Sequence, residues 1–427
     1  MQLFLDQIAE LNRSLQEEHT SEFEHLASKL EEKGHDVNNL VKKIAHFHIA
    51  TPSWALGTGG TRFGKFPGAG EPDTLEQKIE DIGLLKALSH QTSSVSLHIP
   101  WDTPKDAAAI REQARNLGIR FDAVNSNTFQ DQPDFANAPK RLSYKFGSMC
   151  HSDKRVREQA IKHNLDCIHY GEILGSKALS IWLGDGTNFP GQANFRLQFQ
   201  NVLECLRHIY QKLPEDWLLL TEHKAFEPNF YSSVISDWGS NLLLSQKTGE
   251  RCLCLVDLGH HLPNTNVEQI VSRLLMEGRL GGFHFNDSKY ADDDLTTGCI
   301  KPYQLFLIFN ELVEFLEEEE RPDVKLAWMI DASHNTKDPL EDLLQSYESI
   351  ALAYGQALLI NRPELVSAQQ DNDTVLAQEI LQSAYRTDVR PLVAEARQRY
   401  GAALRPIEAF RKLEVRQTLI KERSHVS

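Results

Sequence analysis

Between residues 46 and 330 of the 427-residue chain, short apolar runs alternate with longer stretches whose apolar positions recur every three or four residues. The runs are FHIA (47–50), VSLHI (95–99), FDAV (121–124), KALSIW (177–182), WLLLTE (217–222), CLCLVD (252–257), GGFHF (281–285) and KLAWMI (325–330). Their length and spacing predict buried strands. The stretches between them, such as LEQKIEDIGLLKALS, REQAIKHNLDCIHYGEIL, VEQIVSRLLMEG and LEDLLQSYESIALAYGQALL, predict amphipathic helices. Eight strands each followed by a helix predict a closed parallel (β/α) TIM barrel, with a doubly wound sheet as the rival arrangement of the same pattern. Residues 1–44 read as a helical extension with a break at Gly34, and 45–360 as the catalytic barrel. After Asn361 no further strand is evident, and 361–427 reads as a charged helical extension that wraps the barrel or joins a subunit interface.

Two connections are long: 51–73 after the first strand and 125–150 after the third. Connections of that length tend to be lids or contact loops. The GTGG at 57–60 lacks the Gly-Lys-Ser/Thr ending of a phosphate-binding loop, and Pro67 follows closely, so a turned lid is expected and a nucleotide site is not.

A formal net charge of -15 argues against a nucleic-acid-binding surface, which needs clustered Lys and Arg. No apolar run approaches the ~18 residues that cross a bilayer, so no membrane partner is expected. The opening MQLFLDQIAELNRSLQEEH carries acidic residues where a secretory signal is basic and then apolar, and a cytoplasmic protein is expected. The six cysteines are dispersed; Cys252 and Cys254 alternate with Leu253 and Leu255 and read as buried strand positions rather than a zinc site.

The candidate chemistry lies at the strand ends, which a parallel barrel gathers on one face. In order they read TPSW, HIPW, NSN, WLGDG, EHK, DLGHH, HFND and DASHN. The last four supply Glu222, Asp257, His284 and Asp331, a set that suits a divalent ion such as Mn²⁺, Mg²⁺ or Co²⁺. His260, Asp292 and Asp294 follow just beyond and suggest a second metal, with Glu222 as a possible bridge. Any one of these residues has a plain alternative: a terminal Asp caps a helix, a lone His fills a core, and Asp293 reads as a solvated loop charge. Together they would be a costly concentration of charge without a cation. Lys224 either pairs with Glu222 or sits near an oxygen that gains charge in a reaction. Trp54, Trp101 and Trp182 offer stacking faces, and His98 a hydrogen bond to a sugar oxygen.

The stretches VSLHIPWD, VNSNTF, GDGTNFPGQ, EHKAFEPNFYS, LVDLGHHLPNTN, GGFHFNDSKYADDD, MIDASHN, AYRTDV and GTGGTRFGKFPGAGEP resemble L-rhamnose isomerase of the Pseudomonas stutzeri type, a broad-specificity aldose isomerase. The resemblance runs from about residue 45 into the tail. It implies a xylose-isomerase-like barrel, a homotetramer, and two Mn²⁺ per subunit, with Co²⁺, Mg²⁺ or Zn²⁺ as substitutes. By matching motif, Glu222, Asp257, His284 and Asp331 correspond to a structural metal site, and His260, Asp292 and Asp294 to a catalytic one. Trp54, His98, Trp182 and Lys224 match substrate-contacting positions, Ser333 lies beside the site, and Phe63 matches a loop aromatic that reaches a neighbouring subunit. Residues 131–142 align least well.

The expected reaction interconverts L-rhamnose, or a similar aldose, and its ketose. Either hydrogen moves as hydride from C2 to C1, with Lys224 and His98 among the assisting groups, or Asp331 or Glu222 removes the C2 proton to give an enediol. A ketose 3-epimerase is the nearest alternative, needing one metal and two carboxylates; a metal-dependent abasic-site endonuclease and a non-catalytic sugar-binding barrel are more distant.

Overall fold

The computed structural model describes residues 2–57, 68–131, 141–187, 189–227, 231–290, 292–318, 325–332 and 336–423. Phe63 and Ser333 lie outside the described residues. Eight parallel strands close into a barrel: β1 (Ala50–Pro52), β2 (Ser94–Ile99), β3 (Arg120–Ser126), β4 (Ala178–Trp182), β5 (Leu218–Glu222), β6 (Cys252–Asp257), β7 (Leu280–Phe285) and β8 (Ala327–Ile330). Each pairs with its neighbours in sequence, and β8 returns to β1 through Ala50 and Met329. That closure excludes the doubly wound sheet, which leaves two open edges.

A helix follows every strand, from Leu75–Ser89 after β1 to Pro339–Ala357 after β8. Thr74, Asp106, Asp153, Asn194, Asp237, Asn266 and Asp338 each accept a hydrogen bond from the first turn of the helix they precede. Such caps are worth about 1 kcal/mol apiece, and they fix where each connection ends. The main core lies between strands and helices, where Phe283, Phe285, Phe309 and Trp328 stack in one layer. A smaller cluster of Ala50, Ala123, Ala178, Leu220, Leu255 and Met329 fills the barrel interior, so the interior is packed and the chemistry is confined to its rim.

The first strand departs from expectation. Ladder pairing begins at Ala50 rather than Phe47. Phe47 instead packs on Trp328 and Tyr354 outside the barrel, 4.9 and 4.6 Å between ring centroids. A short hairpin pairing Phe226–Glu227 with Tyr231–Ser232 follows β5 and was not foreseen. Helices Gln2–Glu32 and Val37–His46 precede the barrel, and the break between them holds Gly34 at φ 88°. After Pro339–Ala357 five further helices extend from Arg362 to Arg423 without another strand among the described residues. Five cysteines are buried, Cys252 and Cys254 on β6 among them, and Cys299 is exposed. Among the described residues no helix is long and apolar enough to cross a membrane.

Candidate metal centre

Register sets the site. Trp182 pairs with Glu222, Glu222 with Leu255 and Asp257 with His284, so Glu222 and Asp257 end β5 and β6 while His284 stands one residue before the end of β7. The backbone N–H of Asp331 bonds to Phe285 O at 3.0 Å, which carries β8's end to the same rim. Four ligand atoms, one each from Glu222, Asp257, His284 and Asp331, lie within 4.8 Å of one another. His284 Nδ1 is 3.2 Å from Glu222 Oε1 and 3.8 Å from both Asp257 Oδ2 and Asp331 Oδ2. Asp331 is the most open of these three carboxylates and one imidazole, its side chain 20% exposed against 0–4% for the others.

A second group joins Asp257 to His260 and Asp292. His260 Nε2 stands 3.0 Å from Asp292 Oδ1 and 3.9 Å from Asp257 Oδ1. Its Nδ1 lies 3.0 Å from the His223 carbonyl and 3.1 Å from Glu222 Oε1. A proton on Nδ1, donated to that carbonyl, leaves the Nε2 lone pair facing the two aspartates, the arrangement of a metal-binding histidine. Asp257, rather than Glu222, is common to both groups. Asp294 is buried nearby and its charge acts on Asp257, but it is not one of the three.

The loop that delivers Asp292 is closed by a bridge: Asp287 and Leu295 exchange backbone hydrogen bonds at 2.9 Å each way. Asp292 N–H also bonds to Gly259 O at 2.8 Å, stitching this loop to the one carrying His260. Asp292 and Asp294 both take left-handed backbone, φ 51° and 47°, which Asp tolerates better than most residues. Asp293 is no solvated bystander, since its Oδ2 accepts from Lys289 N and Tyr290 N and shapes the turn. Asp185 and Asp287 likewise serve structure: the first binds Ser148 and Cys150 backbone N–H groups, the second those of Ile300 and Lys301.

The charges are unbalanced without a cation. Two carboxylates about 4 Å apart repel by roughly 4 kcal/mol even at an effective dielectric of 20. Burial first, then the charges of Glu222 and Asp331, push the Asp257 carboxyl well above its ordinary range. Burial would also raise Glu222, but the neighbouring His284 and His260 outweigh it and hold that group far below. His284 is pulled down by burial, yet Glu222, Asp331 and Asp257 push it up to about 10. Despite the short distances, Glu222 Oε1 and both His284 ring nitrogens are buried without a hydrogen bond. Buried polar atoms left unbonded need a partner, and a coordinated ion would supply one. The residues fit a divalent cation.

The chain matches no protein-family model. It is 48% identical over 416 residues, 97% of its own length and 95% of the relative's, to a "probable sugar isomerase" of Rhizobium meliloti. A second "probable sugar isomerase", from Mesorhizobium japonicum, is 48% identical over 406 residues, covering 95% and 93%. The chain belongs to this sugar isomerase family. Its barrel also resembles a solved L-ribulose 3-epimerase, with a TM-score of 0.51 and 12% identity over 75% of this chain and 98% of that one, a likeness of fold.

The other half of the rim is aromatic. Trp54 meets His98 edge-on at 5.2 Å, His98 is tilted against Trp101 at 4.9 Å, and Phe129 meets Trp182 edge-on at 4.1 Å. Strands β1 to β4 thus supply rings where β5 to β8 supply ligands. Lys224 crosses between the halves, bonded to Asp292 and 4.8 Å above the Trp182 ring. It pairs with Asp292 rather than Glu222. Two contributors went unread in the sequence. Asn286 donates to both oxygens of Asp257 at 2.9 and 3.1 Å, and Phe129 backs Trp182. Asn286 stands two residues beyond His284 in the HFND motif, the signal that could have found it. A cavity of about 1050 Å³ lies elsewhere, between the first helix and the C-terminal helices near Leu26, Arg390 and Ile407.

Proposed function

We propose that the protein is a divalent-metal-dependent aldose–ketose isomerase acting on L-rhamnose or closely similar aldoses, with two metal ions per subunit and Mn²⁺ the best candidate. The observation that carries this reading is the pair of ligand groups sharing Asp257. A ketose 3-epimerase needs only the first group; the second favours isomerisation. The sugar itself rests on the resemblance of the strand-end motifs to L-rhamnose isomerase.

When bound, divalent ions supply Lewis acidity toward the substrate's O1 and O2. The chain's residues do the rest. The aromatic wall stacks against sugar C–H faces. Lys224 holds a buried ammonium where charge gathers on oxygen. Asp331, the most open carboxylate and fixed by Trp54, is placed to accept a proton from C2 if an enediol forms. If hydrogen instead passes directly from C2 to C1, Asp331 serves as a ligand only. Deuterium at C2 distinguishes the routes by staying on C1 or washing into solvent.

A homo-oligomer also belongs to this reading. Phe146, Phe189, Leu262 and Tyr290 are 56–73% exposed on connections that follow strands β3, β4, β6 and β7, and a second copy would cover them. The test of function is to strip metal, restore Mn²⁺ and measure ketose formation across an aldose panel that includes L-rhamnose, L-mannose, L-lyxose and D-allose. Metal-dependent ketose formation supports the proposal; turnover only between ketoses, or none, refutes it.

A further inference from the structure

Helix Val415–Arg423 lies more than eighty residues beyond the last barrel strand, yet two of its arginines grip the first connection. Arg416 Nη1 and Arg423 Nη1 both donate to Gly70 O, at 2.8 and 2.6 Å. Gly70 is left-handed at φ 74°, and a Cβ there would fall 2.7 Å from Ile420 N, so this backbone sits directly on the helix. Arg416 also forms a two-pronged ion pair with Asp338, Nε at 2.6 Å and Nη2 at 3.0 Å. Asp338 caps the helix that follows β8, seven residues after Asp331. Arg423 pairs with Asp81, whose side chain is 1% exposed.

The first connection is pinched at its neck. A Cβ on Gly57 would meet Pro72 O at 2.7 Å, which puts the outgoing and returning strands of that connection in contact. Trp54 is three residues before the neck, and its indole N–H holds Asp331. Arg416 therefore bridges the return of the first connection at Gly70 and the helix cap at Asp338, while Trp54 ties the outgoing arm of that connection to Asp331.

We infer that Arg416 is a positioning residue, and that the C-terminal helix acts as a clamp setting the Trp54–Asp331 contact and hence the metal affinity of the four-ligand group. The inference rests on the proposed metal centre. Buried, two-pronged arginine pairs hold geometry more tightly than exposed ones, and both partners here are mostly covered.

The test is Mn²⁺ affinity by calorimetry on the full chain, beside thermal unfolding, with no turnover needed. Arg416→Gln should weaken Mn²⁺ binding about tenfold, the lower end of what loss of a ligand-orienting partner does. Arg416→Lys, which keeps the charge, should recover part of it. Gly70→Ala supplies an independent break should Arg416→Gln fail to fold. A lowered Tm with unchanged Mn²⁺ affinity in the folded variants would overturn the clamp alone. Failure of the unaltered chain to bind Mn²⁺ would overturn the metal centre and the clamp with it.

Discussion

Trp54 Nε1–H donates to Asp331 Oδ1 at 2.7 Å, joining the connection after β1 to the ligand that follows β8. Trp54 was expected to stack on substrate. Its ring does line the rim, but the indole N–H is committed to fixing a carboxylate. Trp54→Phe keeps the ring and removes only the donor. Mn²⁺ affinity should fall about tenfold, as for other ligand-orienting partners, with a Tm within a few degrees of the parent. Calorimetry showing unchanged affinity would reduce the contact to packing.

His260→Asn tests the second ligand group separately. His260 Nε2 faces Asp292 and Asp257, and none of the four-ligand group's mutual contacts requires Nε2. The variant should bind one Mn²⁺ per subunit instead of two and lose at least ~100-fold in turnover, the scale expected when transition-state charge loses a stabilising partner. Retention of two ions with parental turnover would remove the second site from the account.

Metal binding should release protons. His284 is held up to about 10 and so carries a proton at neutral pH in the metal-free chain, and burial with the neighbouring carboxylates pushes the Asp257 carboxyl well above its ordinary range. Coordination requires them deprotonated. Affinity should therefore rise with pH between 6 and 8, by about tenfold per unit for each proton displaced. Calorimetry in buffers of different ionisation enthalpy counts the protons; identical heats in both buffers would contradict the assignment.

Lys78 and Asp102 form a buried pair at 2.7 Å beneath the aromatic half of the rim, with Ser53 Oγ donating to the same carboxylate. Lys78→Met leaves Asp102 charged and uncompensated, which costs about 3–5 kcal/mol. Adding Asp102→Leu should recover much of the loss. Urea unfolding of both variants measures it, and a single variant as stable as the parent would show the pair to be dispensable.

Much of this was legible because a parallel barrel turns linear order into spatial position. Glu222, Asp257 and Asp331 stand at the end of an apolar run or just past it and His284 one residue before the end of its run, and closure places such residues on one rim. Helix Leu75–Ser89 matches its stretch residue for residue, since Thr74 marks its start and His90 its left-handed end. What stayed hidden depends on contacts between connections. The bridge from Asp287 to Leu295 and the tie from Asp292 to Gly259 decide that Asp292 faces His260 while Asp294 stands aside, and no local pattern records them. Strand β1 was misplaced by three residues because Phe47 and Ile49 are as apolar as strand residues but pack outside the ladder. Residues 131–142, which aligned least well, fall largely outside the described residues.

The central claim is that two divalent ions share Asp257. Anomalous scattering from crystals soaked in Mn²⁺ measures it directly. The account predicts two peaks, one ringed by Glu222, Asp257, His284 and Asp331, the other by Asp257, His260 and Asp292. A single peak, or none at saturating Mn²⁺, would contradict it.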